Sequence, residues 1–224
     1  MFTVDILRTD IRAALYFAAV DDTRCYLNGV CFECGPDGAR MVATNGHILG
    51  VCNILPAARW AQNCAEHGAP AATECGIVPR DVLVKIKRAR RGESPLIGVT
   101  IDPAAGAYAV DDFSGAKFSG RLIDGKYPDW RHVLPAAVSG ETAHFQPHLT
   151  MAVQDAAQER AGKEKAHIRI RHNGRDGPSW CDVGDDFIAV IMPMRGLEPD
   201  EARQGAPDWA RAYLGGADVE RAAR

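Results

Sequence analysis

The order strand, helix, hairpin recurs three times along this 224-residue chain, and that repetition constrains the fold more than any single motif does. The first repeat opens with FTVD and continues into a helix over DILRTDIRAALYFAAV, where Ile6, Leu7, Ile11 and Leu15 recur at helical spacing. Two strand-like runs follow, YLNGVCFECG and ARMVATNGHILGVCNIL, separated by the turn signal GPDG. Helices that alternate with hairpins in this way predict an α+β chain.

The second and third repeats show the same order. ECGIVP predicts a strand, PRDVLVKIKRAR a helix with Pro79 near its start, and LIGVTIDP, AYAVDDFS and AKFSGRLID predict further strands. The third repeat begins with a strand at TAHFQ, enters a helix through Pro147 into HLTMAVQDAAQERAG, and continues as strands at KAHIRIRHNG, PSWCDVG and DFIAVIMPMR. Three units of one kind are therefore expected.

Two segments do not fit the repeats. PAARWAQNCAEHGAPAATE is Ala-rich without clear periodicity and predicts a loop or a short helical connection. The charged tail after the MPMR block is expected to start disordered and to form a short helix from about Asp208.

No apolar run approaches the roughly 20 residues that cross a membrane, and MFTVDILRTD lacks the layout of a signal peptide, so a cytoplasmic protein is expected.

The cysteines allow two interpretations. There are seven: Cys25, Cys31, Cys34, Cys52, Cys64, Cys75 and Cys181. An odd number in mostly apolar surroundings favours reduced, buried thiols over a disulfide framework. Cys31 and Cys34, followed by Cys64 and His67, have a spacing that can hold zinc. On a strand, however, residues three apart point to opposite faces, which argues against a shared metal.

Evidence for an enzyme is weak. The chain has no G-x-S-x-G, H-E-x-x-H, Walker or G-x-G-x-x-G motif. The acidic pairs Asp21-Asp22, Asp111-Asp112 and Asp185-Asp186 adjoin predicted strands, where turn residues are more frequent than paired catalytic carboxylates. His47, in TNGHILGV, is a candidate base, metal ligand or pocket wall, and no motif gives it an acid partner or a nucleophile.

The segment from residue 80 to 91 is locally very basic, although the whole chain has a formal net charge of −3. Its apolar positions predict one buried helix stripe, which leaves Lys85, Lys87, Arg88 and Arg91 on the exposed face without acids at i+4. Such a face is either simply solvated or contacts the phosphate backbone of DNA.

Several blocks together resemble the bacterial DNA polymerase III beta subunit family, the sliding clamps. FTVDILRTDIRAALYFAAVDDTRCYLNGVCFE with ARMVATNGHILGV resembles the first half of the clamp's middle domain, and GRLIDGKYPDWRHVLP resembles its end. DFIAVIMPMR resembles the extreme C-terminus of a clamp. The resemblance implies a DNA-clamp fold of repeated strand-helix-strand units, about one and a half clamp domains long. Residues 1–135 would form a complete domain, 136–196 a half domain, and 197–224 a tail.

The resemblance also implies a site and partners. Clamps encircle duplex DNA and hold short partner peptides of the Gln-Leu-x-Leu-Phe kind in a surface pocket. The residues it assigns to that pocket are Leu27, Thr44, Gly46, His47, Leu49, Pro128, Val133, Val190, Met192, Pro193, Met194 and Arg195. Arg24 and Tyr26 match a position where the family approaches DNA. Expected partners are double-stranded DNA, a polymerase or another protein with a clamp-binding peptide, a clamp loader and further copies of the chain; no cofactor, metal or membrane is implied.

The chain departs from the family pattern in several places. It lacks a counterpart of the first clamp domain and has room for only one repeat after Pro135. Ile48 stands where the family commonly has a basic residue, and His132 replaces an arginine-like position. Two chains that pair their third repeats would complete a domain, and two such dimers would hold the twelve repeats of a clamp ring. The sequence therefore predicts a sliding-clamp-like replication or repair factor, with two alternatives: a peptide-binding decoy that does not encircle DNA, and a zinc- or cysteine-dependent enzyme.

Overall fold

The computed structural model describes residues 1–55, 72–113, 115–162 and 164–194. The chain divides into one compact unit, Met1–Pro193, and a second that starts at Met194. The expectations for the connection around Cys64 and His67, for Arg195 and for the tail beyond it lie outside the described residues. No helix among the described residues is long and apolar enough to span a membrane.

The predicted order of elements is present in the first two repeats. The first contains β1 (Phe2–Leu7), α1 (Arg8–Ala14), β2 (Gly29–Gly35), β3 (Gly38–Thr44) and β4 (Ile48–Leu55). The second contains β5 (Glu74–Pro79), α2 (Arg80–Leu83), β6 (Leu96–Asp102), β7 (Ala107–Asp111) and β8 (Lys117–Arg121). The third contains α3 (Pro147–Ala161), β9 (Ile170–Arg171), β10 (Ser179–Gly184) and β11 (Phe187–Ile191). Short 3-10 turns occupy Cys25–Leu27 and Trp130–Val133.

The first two repeats exchange their opening strands. One sheet has the order β1-β6-β7-β8 and the other β5-β2-β3-β4-β11-β10-β9, with every neighbouring pair antiparallel. The strand that opens the first repeat thus joins the hairpins of the second, and β5 joins those of the first. Because each repeat completes the other's sheet, the two fold as one body.

The third repeat is attached through β11, which pairs with β4 from Phe187 opposite Cys52 to Ile191 opposite Ile48. The strand predicted at TAHFQ is wrong, since residues 142–146 are not in a strand, and KAHIRIRHNG contributes only Ile170–Arg171. The physical reason is the lack of an exchange partner: within the described residues, no fourth repeat offers a sheet that could receive this strand. The segment instead makes irregular bonds, in which the amides of Gly140 and Ala143 donate to the carbonyl oxygen and Nδ1 of His172.

Two predicted elements of the first repeat also differ in extent. The run ARMVATNGHILGVCNIL forms two strands, β3 and β4, because Asn45–His47 turn the chain back on itself. The helix predicted from Asp5 starts only at Arg8, since residues 2–7 pair with β6.

After α1 ends, the ring of Phe17 packs over Gly50 of β4, where an added Cβ would lie only 2.5 Å from a ring carbon. A glycine is required there for the chain to pack closely on the sheet.

The predicted basic helix over residues 80–91 is wrong, because α2 ends at Leu83. The backbone that follows is bonded by arginines from α1: Arg8 Nη1 donates to the Lys87 carbonyl at 3.3 Å, and Arg12 Nη1 to the Ile86 carbonyl at 3.1 Å. A pattern of charges and apolar residues cannot show that distant guanidinium groups will replace the helical partners of these carbonyls.

Buried ion pairs join α1 to α3. Glu159 is 3% exposed, and its carboxylate accepts from Arg12 Nε at 2.6 Å and from Arg88 Nη2 at 2.8 Å. Next along the helix, Arg160 bonds Asp10 at 2.7 Å and also pairs with Asp186. The guanidinium groups of Arg88 and Arg12 lower the pKa of Glu159 from 4.5 to about 2, whereas burial raises the pKa of Asp10. We call these pairs the helix joint.

The larger sheet has an apolar cluster on each face. Phe17, Val30, Phe32 and Phe187 belong to the main core beside the helices. The opposite face carries a smaller cluster, which we call the outer core; its buried members are Cys31, Val42, Leu49, Val51, Ile77, Tyr127, Trp130 and Val190. Cys31 and Cys34 lie in different clusters, so the prediction that they point to opposite faces of the strand is confirmed.

Replacing Glu159 by Gln is expected to lower the free energy of unfolding by about 3 kcal/mol at pH 7. In the folded chain the Glu159 carboxylate stays charged down to pH about 2. In the unfolded chain it has its ordinary pKa and stays charged only down to pH about 4.5. Its contribution is therefore fully present above pH 5 and is lost as the pH falls from 4.5 toward 2. Urea unfolding at pH 7 and at pH 3 should show a gap between wild type and Glu159→Gln that narrows at the lower pH.

The matched control is Glu164→Gln, because Glu164 is exposed just beyond α3. Its unfolding curve should match that of wild type at both pH values. If Glu159→Gln unfolded at the same urea concentration as the control at pH 7, the helix joint would not stabilise the fold.

Candidate functional site

Nine of the twelve residues assigned to the peptide pocket line one surface cavity of about 250 Å³. These nine are Leu27, Thr44, Gly46, His47, Leu49, Pro128, Val133, Val190 and Met192. They come from three blocks that are far apart in sequence. Of the other three, Pro193 is half-buried outside the lining, Met194 opens the second compact unit and is 38% exposed, and Arg195 lies outside the described residues.

The floor of the cavity is built where the third repeat meets the first. Leu49 of β4 lies opposite Val190 of β11 in the strand register, and their side chains are 4% and 1% exposed. Both belong to the outer core, so the floor is apolar and rests on packed side chains. Met192 follows β11, and its amide donates to the His47 carbonyl at 2.9 Å, which brings the end of the third repeat to the rim.

The turn Asn45–His47 forms one wall, and side chains hold its shape. Asn45 Oδ1 accepts from the amides of His47 and Ile48 at 2.9 and 3.0 Å. The Thr44 hydroxyl donates to the Ile48 carbonyl at 2.7 Å and accepts from the Gly46 amide at 3.0 Å. Gly46 has φ of 88°, in the left-handed region that favours glycine. The sequence TNGH therefore specifies a rigid turn that presents His47.

His47 lies in the wall of the cavity. Its side chain is exposed, and within the described part of the chain its imidazole makes no hydrogen bond to an acid or a hydroxyl. The acidic pairs are likewise engaged with cations at turns and strand ends: Asp22 with Arg24 at 2.8 Å, Asp111 with Lys117 at 2.9 Å, and Asp186 with Arg160. Among the described residues no three His, Cys, Asp or Glu side chains are grouped to hold a metal.

The second wall, residues 128–133, is anchored to the sheet through Glu33 on β2. Trp130 Nε1 donates to Glu33 Oε2 at 3.0 Å, and both terminal nitrogens of Arg131 donate to the same carboxylate at 3.3 Å. The Arg131 guanidinium also lies 4.4 Å from the Trp130 ring centroid. Asp129 accepts from the Arg131 amide and so caps the 3-10 turn. Glu33 does not line the cavity, but it fixes the loop that carries Pro128 and Val133.

The structure adds four residues to the predicted lining: Arg24, Tyr26, Ile48 and Trp130. Arg24 and Tyr26 had been expected to approach DNA, yet both face the cavity. Arg24 donates to the Asp22 carboxylate at 3.0 and 2.8 Å, and this pairing lowers the pKa of Asp22 to about 2. Trp130 could have been found from its place between Pro128 and Val133, since one turn of 3-10 helix brings three residues together.

A second cavity, of about 450 Å³, continues from the first. Arg24, His47 and Ile48 line both, and the second extends to Leu15, Tyr16 and Val20 of the first repeat and to His148, Leu149 and Ala152 of α3. Ile48 lies at the division between them with its side chain 2% exposed. The position where a charge is common in the family is thus occupied by a buried apolar residue. Where the two cavities adjoin, the shared lining therefore combines this apolar side chain with the polar side chains of Arg24 and His47.

The predicted DNA-contacting residues Lys85, Lys87, Arg88 and Arg91 are all exposed in the segment after α2. They are not equivalent, however. Arg88 is held against α3 by its bonds to Glu159, whereas Lys85, Lys87 and Arg91 have no ion pair among the described residues. A basic segment without helical structure suits contact with a phosphate backbone as well as a helix does, because such contacts need charge more than a particular backbone geometry.

Comparisons with known proteins agree with the geometry. Residues 2–129 match the family described as "DNA polymerase III beta subunit, central domain". The beta sliding clamp of Escherichia coli K12 is 35% identical over 125 residues, covering 56% of this chain and 30% of the relative. That of Pseudomonas putida is 28% identical over 132 residues, covering 58% and 32%. The chain thus matches about a third of the length of these curated relatives.

Solved clamp structures have the same fold over a longer range. A sliding clamp from Pseudomonas aeruginosa superimposes with a TM-score of 0.60 at 18% identity, covering 87% of this chain and 66% of the other. The Caulobacter crescentus polymerase III beta subunit gives a TM-score of 0.62 at 16% identity, covering 88% and 67%. The fold is therefore the α+β DNA-clamp fold. Because the central-domain match covers more than half of the 224 residues, the chain belongs to the DNA polymerase III beta subunit family, the beta sliding clamps.

Proposed function

We propose that this protein is a shortened, non-enzymatic sliding-clamp-like factor for DNA replication or repair, which binds partner proteins by a short peptide in the apolar cavity. The observation that carries the proposal is the convergence of nine predicted residues, from three distant blocks, on one cavity. An apolar concavity with a methionine at its rim suits a linear peptide with aliphatic or aromatic anchors. A polymerase or a repair protein in the cytoplasm would supply that peptide.

Met192→Ala is expected to weaken binding of a fluorescent Gln-Leu-x-Leu-Phe peptide by about tenfold, since the substitution removes a long apolar side chain from the lining of the cavity. The measurement is fluorescence anisotropy at fixed peptide concentration. The matched control is Met151→Ala, which makes the same change on α3 at a side chain that is 63% exposed and outside both cavities. Equal affinities for the two variants would contradict the assignment of the pocket.

Glu33→Gln is expected to weaken binding of the same peptide, although Glu33 does not line the cavity. Loss of the carboxylate removes charge-assisted bonds from Trp130 and Arg131 and frees the wall at residues 128–133. Hydrogen exchange of amides in residues 130–134 should then accelerate by about tenfold. The control is Glu74→Gln, on the neighbouring strand, because the only ion pair of Glu74 among the described residues is with the N-terminal amine; this variant should leave that exchange unchanged. Unchanged exchange in Glu33→Gln would mean that the wall is held by other contacts.

We further propose that the chain encircles duplex DNA as an oligomer. Residues 1–135 would be a complete clamp domain and 136–196 a half domain, and the exchange of opening strands between the first two repeats supports pairing of third repeats from two chains. Residues 142–146 do not join a sheet, and the short strand β9 is at the edge of the larger sheet; both segments would take part in that pairing. Lys85, Lys87 and Arg91 would contact phosphates, and a clamp loader would open the ring.

A closed ring predicts topological binding. The protein should be retained on a nicked circular plasmid during gel filtration and lost when the plasmid is linearised, and light scattering should show an assembly larger than a monomer. Lys85→Gln with Lys87→Gln should reduce retention and lower the salt dependence of binding by about two phosphate contacts. If the protein is a monomer at high micromolar concentration, is not retained on circular DNA and still binds the peptide, it is instead a decoy that competes with clamps for their partner proteins.

A further inference from the structure

Two cysteines lie side by side on the outer face of the larger sheet. In the register of β2 and β5, Cys31 is opposite Ile77 and Glu33 is opposite Cys75. Because side chains alternate along a strand, these four residues share one face, which is also the face of the outer core that contains Cys31 and Ile77. Cys31 and Cys75 are therefore diagonal neighbours across the strand pair, a position from which side chains interact.

The two thiols differ in exposure and acidity. Cys31 is 1% exposed, whereas Cys75 is exposed. The Cys31 thiol, a hydrogen-bond donor beside it, stabilises the Cys75 thiolate and lowers the pKa of Cys75 to about 7, against the opposing effects of burial and of the Glu33 carboxylate. Burial instead raises the pKa of Cys52 and Cys181. Cys75 is thus an exposed thiol with substantial thiolate at neutral pH, which is the reactive form.

We propose that Cys75 is a modification site for peroxides and that Cys31 is its resolving thiol. The Cys75 thiolate attacks one peroxide oxygen, the O–O bond breaks, and Cys75 becomes a sulfenic acid while the hydroxide released takes up a proton to give water. The Cys31 sulfur then attacks the Cys75 sulfur, the S–O bond breaks, and a second water leaves. Two thiols lose two electrons and two protons, hydrogen peroxide is reduced, and a disulfide remains.

The position of the pair makes the second step feasible. Diagonal neighbours start somewhat farther apart than the usual Cα spacing of a disulfide, so the backbone has to move slightly. In the part of the chain that the structure describes, β5 is the terminal strand of its sheet and forms a ladder with β2 alone, apart from a single bridge between Ile77 and Ile123. A terminal strand can shift without breaking a second ladder. The Cys31 thiol, buried against the sheet, is protected from reacting with peroxide first.

The test treats the full chain, freshly reduced, with hydrogen peroxide and maps its peptides by mass spectrometry without reduction. Wild type and the control Cys25→Ser, which removes another exposed thiol, should both give a cross-linked peptide that joins Cys31 to Cys75. Cys75→Ser should leave Cys31 as a free thiol. Cys31→Ala, checked for folding by its thermal melt, should stop at a Cys75 sulfenic acid that dimedone traps.

An independent measurement is the rate of alkylation by iodoacetamide at pH 7. Cys75 should react about tenfold faster than Cys25, because the neighbouring Cys31 thiol favours the Cys75 thiolate, which is the reactive form. Alkylation of Cys75 at the rate of Cys25, or an oxidised Cys75 that is paired with another cysteine or carried on to the sulfinic acid while Cys31 stays free, would overturn the proposal. Because neither measurement uses DNA or a peptide, both are independent of the proposed function.

Discussion

The helix joint between α1 and α3 is the interaction on which the rest of the structure depends. Sheet pairing of β11 with β4 attaches only one edge of the third repeat to the first, whereas the ion pairs of Glu159 and Arg160 fix its helix. A buried carboxylate is tolerable when its charge is matched, and Glu159 has two guanidinium groups for its two oxygens. The charge of the Asp10 carboxylate is balanced less completely, by Arg160 alone among the described residues, and burial accordingly raises the pKa of Asp10.

The candidate pocket lies on the other face of the same junction. Its floor consists of residues that face each other across the β4 and β11 pair, so the pocket has the proper shape only when the third repeat is in register. Its two walls are held by different means: the Asn45–His47 turn by local side-chain bonds, and the 128–133 loop by Glu33 at a distance of nearly 100 residues in sequence. The shape of the apolar cavity is thus set by polar side chains, both in its lining, as at Thr44, and outside it, as at Glu33.

Local signals in the sequence predicted most of the strands, the GPDG turn between β2 and β3, and helix α3 from Pro147, because strand alternation, turn residues and proline act over a few positions. Family resemblance predicted most of the pocket. What failed depended on distant partners. The helix over residues 80–91 was lost to carbonyl bonds from Arg8 and Arg12, and the strand at TAHFQ requires a sheet that the described chain does not provide. Glu33 was missed because its role comes from a contact between distant segments, which no local pattern records, whereas Trp130 could have been found from its place between Pro128 and Val133.

The separation of Leu49 and Val190 along the chain has a consequence for biosynthesis. The two residues that form the pocket floor are 141 positions apart, so their contact closes one of the longest loops in the fold. Such contacts form late, because the entropy of loop closure has to be offset before they contribute. A nascent chain on the ribosome carries the His47 turn long before it carries β11. The floor of the candidate pocket is therefore incomplete until synthesis is nearly finished, and a chain that terminates before β11 lacks one side of it.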